Sequence, residues 1–526
     1  MLSILPIALC LYGLFFTFQP FWKSLDAISG DLGDARFNIM VLEHTWLWVK
    51  GVPAHHSLFN MPMYYPHPNT YAYSDSLFSI APLYWLLRWM GLDLYLSFQF
   101  WIVICSILNF TIYYLFAKKL ISCSTLYSSL GAYIFSFALP RITHLGHAQL
   151  VAQFFSVISA AGLMMLWKSP RSKIAPYLFV GGAIAQFASS FYFFWFWVWT
   201  LAVYGIYICL KPDRRKTFKA FICALRKDHF FFATGIGLLV AFPFLLHYAS
   251  ASREFGRRSW SLITALLPRV YSWIALPPDH WEWPLVPFKK AITELPFTNE
   301  HYLSFGLLTW IGMLAVLVFT YRNKSTRYLA IPIIAMFFFT FCIGKISPWV
   351  FPAHLLPAGR SIRAVGRIQI YMLLFWSTAL VSALHTFNFK NKRRSTLLLG
   401  CFILIFFAEN TYTPSFHFSR HEEIERIASL TAKLDPSCKF LYVPEGFAHS
   451  LQHPEFADHA NLDAMVVAFT HGISTINGYS GQQPAEYQNI FIHDETSPIA
   501  AKLASWAQVH SWPYRSEETC LLNLNQ

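Results

Sequence analysis

The sequence predicts an α-helical polytopic membrane protein, with a transmembrane domain over 1–410 and a small extracytoplasmic α/β domain over 411–526. Three observations carry this. Of 526 residues, 55% are hydrophobic and 13% charged, where a soluble domain carries about 25% charged residues. Apolar runs of roughly 20 residues, the length that crosses a bilayer as a helix, recur along most of the chain. Basic residues collect in alternate short loops, as the bias of cytoplasmic loops toward Lys and Arg requires.

Taken in order, the apolar runs fall near 4–21, 95–117, 123–139, 149–167, 174–190, 192–210, 229–249, 303–321, 327–343, 367–387 and 395–409, about eleven spans at this length. The first, "MLSILPIALCLYGLFFTFQPFW", has no basic leader and no small-residue cleavage pattern, and reads as a retained span. The stretch 76–91 is short, contains Pro82 and carries Arg88, so it reads as an interfacial or re-entrant helix. With that assignment, five basic linkers share one side, the cytoplasm: Lys118 and Lys119; Lys168, Arg171 and Lys173; "KPDRRKTFKAFICALRK"; Arg322, Lys324 and Arg327; and Lys390, Lys392, Arg393 and Arg394. The net charge of +13 is explained there, with no need of a nucleic-acid partner. The other side receives a long first loop (22–94), a turn (140–148), loops at 250–302 and 344–366, and everything beyond about 410.

That last stretch is richer in Asp, Glu, His and Asn. "KFLYVPE" reads as a short strand, and "NLDAMVVAFTHG" as a helix stopped by glycine. Of nine cysteines, none has CxxC or CxxH spacing, which removes zinc, haem and iron–sulfur frameworks. Cys438 and Cys520 fall in the polar tail, where an oxidising compartment permits a disulfide, although spacing alone does not establish one.

Three groups of residues on the outer side could carry chemistry. In "ISGDLGDARFN" (28–38), Asp34 precedes a mostly apolar helix that ends at Gly51. It serves either as the N-cap, with Asp31 as a turn residue, or as an ionisable group held at the edge of a membrane cavity by an interfacial helix. "LPRITHLGHAQ" holds His144 and His147 at i, i+3 with Gln149 beside them, a spacing fit for metal, for a shared proton, or for satisfying loop carbonyls. "SREFGRRSW" and "PAGRSIRAVGR" put Arg258, Arg360, Arg363 and Arg367 on the side where positive charge is disfavoured. Guanidinium forks there suit phosphate oxygens, whether of a bound ligand or of lipid headgroups. In the tail, "TINGYSGQQPAEYQ" offers Tyr479, Asn477 and Gln482 to a sugar, or forms a plain surface loop. GxSxG, HExxH, Walker A and GxGxxG motifs are all missing.

Read together, "GDLGDARFN…LEH…W", "YYPHPNTYAYSDSLF…APLYWLLR", "FALPR…HLGHAQL" and "LPAGRSIRAVGR", in this order, resemble the bacterial multi-spanning glycosyltransferases of the GT-C superfamily, and within it the YfhO-like branch. "HGISTINGYSG" is similar to a segment after the last span in that branch. The resemblance implies a GT-C-like helical core in the bacterial inner membrane and a catalytic acid on the first outer loop. It also implies a sugar donor carried on polyprenyl phosphate and an envelope glycan or lipid acceptor. By position, the catalytic acid matches Asp34, with Asp31 as the alternative. Arg363, Arg367, Arg360 and Arg258 would hold the donor phosphate. Arg36, Glu43, His44, His144, His147 and Gln149 would contact donor or acceptor. A divalent cation, Mg or Mn, would fit between carboxylate and phosphate. The adjacent acidic pair of the protein-mannosyltransferase branch is missing, which argues against a protein acceptor.

The chemistry is self-consistent without the resemblance. A phosphate leaving group needs no general acid, so one base that activates the acceptor hydroxyl suffices. The rival readings are a transporter or flippase of lipid-linked sugar, which would place ionisable groups near the bilayer midplane, and a catalytically silent scaffold that presents the tail.

Overall fold

The computed structural model describes residues 4–386, 392–448, 454–494 and 496–524, which leaves Lys390 of the last basic linker outside the described residues. Helices dominate, with short strands confined to the first loop and the tail. Leu94–Lys119, Ala148–Lys168, Phe191–Leu210, Lys227–Phe255 and Val365–Thr386 are long and apolar enough to cross a membrane. The helices at the remaining expected spans are shorter: Ile4–Thr17, Thr125–Phe137, Ala175–Phe187, Leu307–Arg322, Arg327–Thr340 and the apolar stretch Leu399–Asn410. A 14-residue helix such as Ile4–Thr17 runs about 21 Å, short of a hydrocarbon core about 30 Å thick. Hydropathy counts apolar residues in turns as well as helices. The run 123–139, for example, loses its end where the helix stops at Phe137, ahead of Pro140.

The segment read as interfacial or re-entrant forms Ala81–Trp89, nine residues long, a length of about 14 Å that cannot span. Helix starts follow local chemistry. Asp93 accepts from the Tyr95 and Leu96 amides at the start of Leu94–Lys119, and Ser124 caps Thr125–Phe137. The start of Leu307–Arg322 is capped from another helix, as Glu409 accepts from the Leu308 and Thr309 amides at 2.8 and 2.7 Å. Gly306, at φ 100°, precedes that start, and a side chain there would collide with Glu409.

Ile368–Thr386 forms the axis of the bundle. It is buried from Ile368 through Ala383 and packs on Thr125–Phe137, Phe191–Leu210, Leu307–Arg322 and Arg327–Thr340. Lys227–Phe255 sits at the other extreme, against Ala175–Phe187 and the first-loop turn Thr70–Tyr73. Its buried stripe is mostly small residues, Ala233, Gly237, Ala241 and Ala251 with Phe244. Phe231, Phe232, Leu238, Leu239, Leu245 and Leu246 stay exposed, as suits a surface that meets lipid rather than water.

The first loop and the tail pack together. Strand Ala27–Ser29 pairs antiparallel with His417–Ser419. Phe440–Tyr442 lies between Ser474–Thr475 and Thr519–Leu521 in a parallel three-stranded sheet, and a disulfide joins Cys438 to Cys520. Helix Pro454–His471, the one stopped by Gly472, lies against helix Asp34–Val49. That contact corrects the expectation of an interfacial first-loop helix: every residue from Ala35 to Thr45 is buried in protein.

Candidate functional site

A cavity of about 460 Å³ opens where the first loop, the tail and the ends of several helices meet. Its polar lining includes Asp34, Asp75, Gln149, Arg258, Arg363, Arg367 and Gln482, and Phe187, Phe191, Leu245, Tyr248 and Phe255 contribute an apolar wall. One acid (Asp34), two amides (Gln149 and Gln482) and three of the arginines singled out in the sequence therefore share one space.

Asp34 reaches the cavity because its neighbour does the capping. Gly33 is the N-cap of Asp34–Val49, and Asp31 Oδ1 accepts from the Gly33 and Ala35 amides at 3.0 and 3.2 Å. Asp34 is thus left at the first helical position with its carboxylate free to turn inward. Its Oδ1 accepts from the Tyr479 hydroxyl at 3.0 Å, and its Oδ2 lies 2.8 Å from His147 Nδ1 with the side chain 34% exposed.

Behind Asp34 the charges alternate. His147 Nε2 is 3.3 Å from Glu300 Oε1, and the Arg367 guanidinium grips Glu300, with Nε at 3.0 and 3.1 Å from its two oxygens. Burial and the Arg367 charge push His147 down, but its hydrogen bonds to Asp34 and Glu300 outweigh them and lift it to about 9. Burial alone would raise Asp34 and Glu300. His147 and Arg367 hold both well below the usual carboxylate range. Arg367 Nη2 also sits 3.1 Å from His147 Nε2, a contact that a neutral imidazole would accept. Two flanking carboxylates against one guanidinium favour the protonated ring.

Among the described residues the Arg363 side chain makes no hydrogen bond or ion pair. Its backbone is fixed by the Tyr192 hydroxyl, which accepts from the Arg363 and Ala364 amides at 3.2 and 3.3 Å, while the Tyr192 ring lies 5.3 Å from the Arg367 guanidinium. Arg258 donates to the Gly481 carbonyl at 2.6 Å and, with the Gln482 amide oxygen turned toward it, to that oxygen at 2.9 and 3.2 Å.

No family model matches the chain, and no curated protein matches it. The geometry carries the functional argument alone.

Several expected contact residues lie elsewhere, each for a clear physical reason. Arg36 is 1% exposed and pairs with Glu423 and Asp463 of the tail, so it ties elements together. Glu43 is buried and bound by the Tyr84 hydroxyl at 2.6 Å and by the Nε and Nη2 edge of the Arg88 guanidinium. His44 is buried between His55 Nδ1 at 2.8 Å and the Leu58 carbonyl at 2.9 Å, and burial pushes it down to about 4. His144 turns Nδ1 to the Pro140 carbonyl at 2.9 Å, its ring 6.2 Å from that of His147, and does not line the cavity. Arg360 donates to the Arg258 carbonyl, at 3.0 Å through Nε, and so supports the cavity from outside. Asn477 is consumed by Val443 and Asn461.

Two residues of the site escaped the sequence reading. Asp75 sits in the "YSDSLF" stretch of the same loop as Asp34, and Glu300 in the loop just before Leu307–Arg322. Both carried the same signal as Asp34, an acid beside apolar residues in a loop expected on the outer side. Among the described residues no group of three or more His, Cys, Asp or Glu side chains is arranged to hold a metal ion. Asp34 already faces two donors, and the arginines supply the positive charge a cation would bring. The donor set does not fit the expected divalent ion, and no step is assigned to one.

Proposed function

We propose that the protein is a membrane glycosyltransferase of the GT-C type that moves a sugar from a polyprenyl-phosphate donor to a cell-envelope glycan or lipid acceptor. The observation that carries this reading is one cavity that joins a carboxylate, Asp34, to a guanidinium without a partner among the described residues, Arg363, beside an apolar wall on a largely uncovered helix. Such a space matches an anionic headgroup with a long apolar tail.

In this reading the chain crosses the bacterial inner membrane about eleven times, with several short or tilted spans. The cavity and the α/β tail face the extracytoplasmic side. Arg363 and Arg258, with Arg367 behind them, bind the donor phosphate and stabilise the negative charge that grows on it as the bond to the anomeric carbon breaks. The acceptor oxygen attacks that carbon, the bonding pair leaves on the phosphate, and the hydroxyl proton passes to Asp34. A carboxylate held this far below its ordinary pKa is a weak base. It suits a transition state in which the nucleophile loses its proton late, after bond formation has made that proton acidic. His147 and Tyr479 aim the carboxylate.

The test is transfer of labelled sugar from synthetic polyprenyl phosphates by the purified full-length protein in a bilayer. Asp34→Asn is expected to lower the rate about 10²- to 10⁴-fold, the usual worth of a general base. An unchanged rate removes Asp34 from its role. No transfer from any donor, together with movement of lipid-linked sugar between leaflets, favours the flippase.

A further inference from the structure

Two acceptor atoms on the cavity wall, Asp75 Oδ2 and Gln149 Oε1, have no donor among the described residues. Asp75 is 8% exposed. Its Oδ1 accepts from the Phe191 amide at 2.5 Å, while Oδ2 makes no hydrogen bond or ion pair among the described residues. Gln149 is also 8% exposed, its amide makes no hydrogen bond among the described residues, and its Oε1 is buried without a partner. Both line the cavity. A buried acceptor that gives up water without gaining a donor is costly, as Gln149 Oε1 is here; with Asp75 Oδ2 on the same wall also left without a donor among the described residues, the pair points to a ligand that brings donors.

A phosphate cannot be that ligand here. It offers oxygens to Asp75, which would repel them, and belongs with Arg363 and Arg258. Burial pushes the Asp75 carboxyl up to about 6, which still leaves it ionised and accepting at neutral pH. The same wall presents the Phe191, Tyr192 and Tyr248 rings. Hydroxyls to fill the acceptors and an apolar ring face to meet the aromatics describe a sugar. Asp75 is also close enough to Arg367 to feel its charge, which puts this corner next to the phosphate end of the cavity.

We propose that Asp75 and Gln149 are the sugar-recognising pair of the cavity, Asp75 Oδ2 accepting a hydrogen bond from one ring hydroxyl and Gln149 Oε1 from a second. This rests on the reading of the cavity as a lipid-phosphate sugar site and names what selects the sugar.

The experiment titrates farnesyl phosphate and its glucosyl, galactosyl, mannosyl and arabinofuranosyl esters against the full-length protein in detergent, read by native mass spectrometry. At least one glycosylated compound is expected to bind about 10-fold or more tighter than farnesyl phosphate, the worth of a hydrogen bond to a charged group. Asp75→Asn and Gln149→Ala should each erase most of that advantage without weakening farnesyl phosphate itself. Should a variant fold poorly, monodeoxy forms of the preferred compound ask the same question of the unaltered protein: removal of one particular hydroxyl should lose the same factor. The proposal is overturned if no glycosylated compound outbinds farnesyl phosphate, if the advantage survives in either variant, or if every monodeoxy form binds like its parent. An advantage that depends on Asp75 without any sugar transfer sinks the transferase reading and leaves the recognition pair standing. Transfer by the wild type with normal sugar binding in the variants does the reverse.

Discussion

Asp31 and Asp34 are chemically identical and three residues apart, yet the backbone assigns them different work. Asp31 spends its carboxylate on the Gly33 and Ala35 amides, and Asp34 faces Tyr479 and His147. Asp31→Ala is accordingly expected to cost about 1 kcal/mol of stability, as the loss of a helix-start cap does, seen as a lower Tm with sugar transfer per folded molecule retained. Asp34→Asn should instead lose sugar transfer per folded molecule, beyond whatever stability the His147 pairing supplies. The His147 couple also sets a pH window. Because His147 is raised to about 9 in the fold, its stabilisation is complete below its unfolded value near 6.5 and is lost as pH rises through about 9. The lowered pKa values of Asp34 and Glu300 act at the other end, where their contribution is present above the unfolded carboxylate value and fades as pH falls. Activity is expected to fall on an alkaline limb near pH 9. Asp34→Asn removes one of the bonds that hold the proton, so in NMR titration of labelled histidine the His147 transition should move to lower pH.

At the scale of elements, helix Asp34–Val49 explains which motif residues were readable and which were not. The expected topology put "GDLGDARFN" on the same side as the arginines, and in the structure Asp34 does share a cavity with Arg258, Arg363 and Arg367. It said nothing about which faces of the helix would be covered. Arg36, Glu43 and His44 lie on the same helix and were read as ligand contacts, but the tail helix and Ala81–Trp89 close over them. Arg36→Met is expected to strand Glu423 and Asp463 in a buried site. The cost is about 3 kcal/mol, the low end for breaking a buried pair, because Arg426 still reaches both acids. Hydrogen exchange should then rise in Pro454–His471 and Asp34–Val49 together, whereas a ligand-binding role would raise KM and leave exchange alone.

For the whole molecule, the long apolar helices and the strand and helix of the tail were legible in hydropathy and turn chemistry. The assembly of the site was not. Glu300 meets Arg367 across 67 positions and Tyr479 meets Asp34 across 445, and no local pattern announces such pairings. The proposed topology makes its own prediction. With the exposed Cys209, Cys223 and Cys401 changed to serine, a cysteine introduced at Lys216, on the basic helix Pro212–Ala224 that buries no residue, should react with impermeant maleimide only after cells are opened, and one at Ser516 should react in spheroplasts. The Cys438–Cys520 disulfide closes a separation of 82 residues. Cys438→Ser is expected to cost about 2–5 kcal/mol, read as a lower melting temperature of the purified protein that reductant does not lower further.

The bond between Tyr479 and Asp34 also bears on how the protein comes into being. Synthesis at about 5–20 residues per second separates the two partners by tens of seconds, and during that interval Asp34 has no hydroxyl to orient it and Arg258 has no Gly481 carbonyl to hold. On the proposed function, a nascent chain already threaded into the bilayer lacks a finished site. Asp34 gains its Tyr479 partner only once the tail has folded against the first loop, so an unfinished chain would not draw on a supply of lipid-linked sugar.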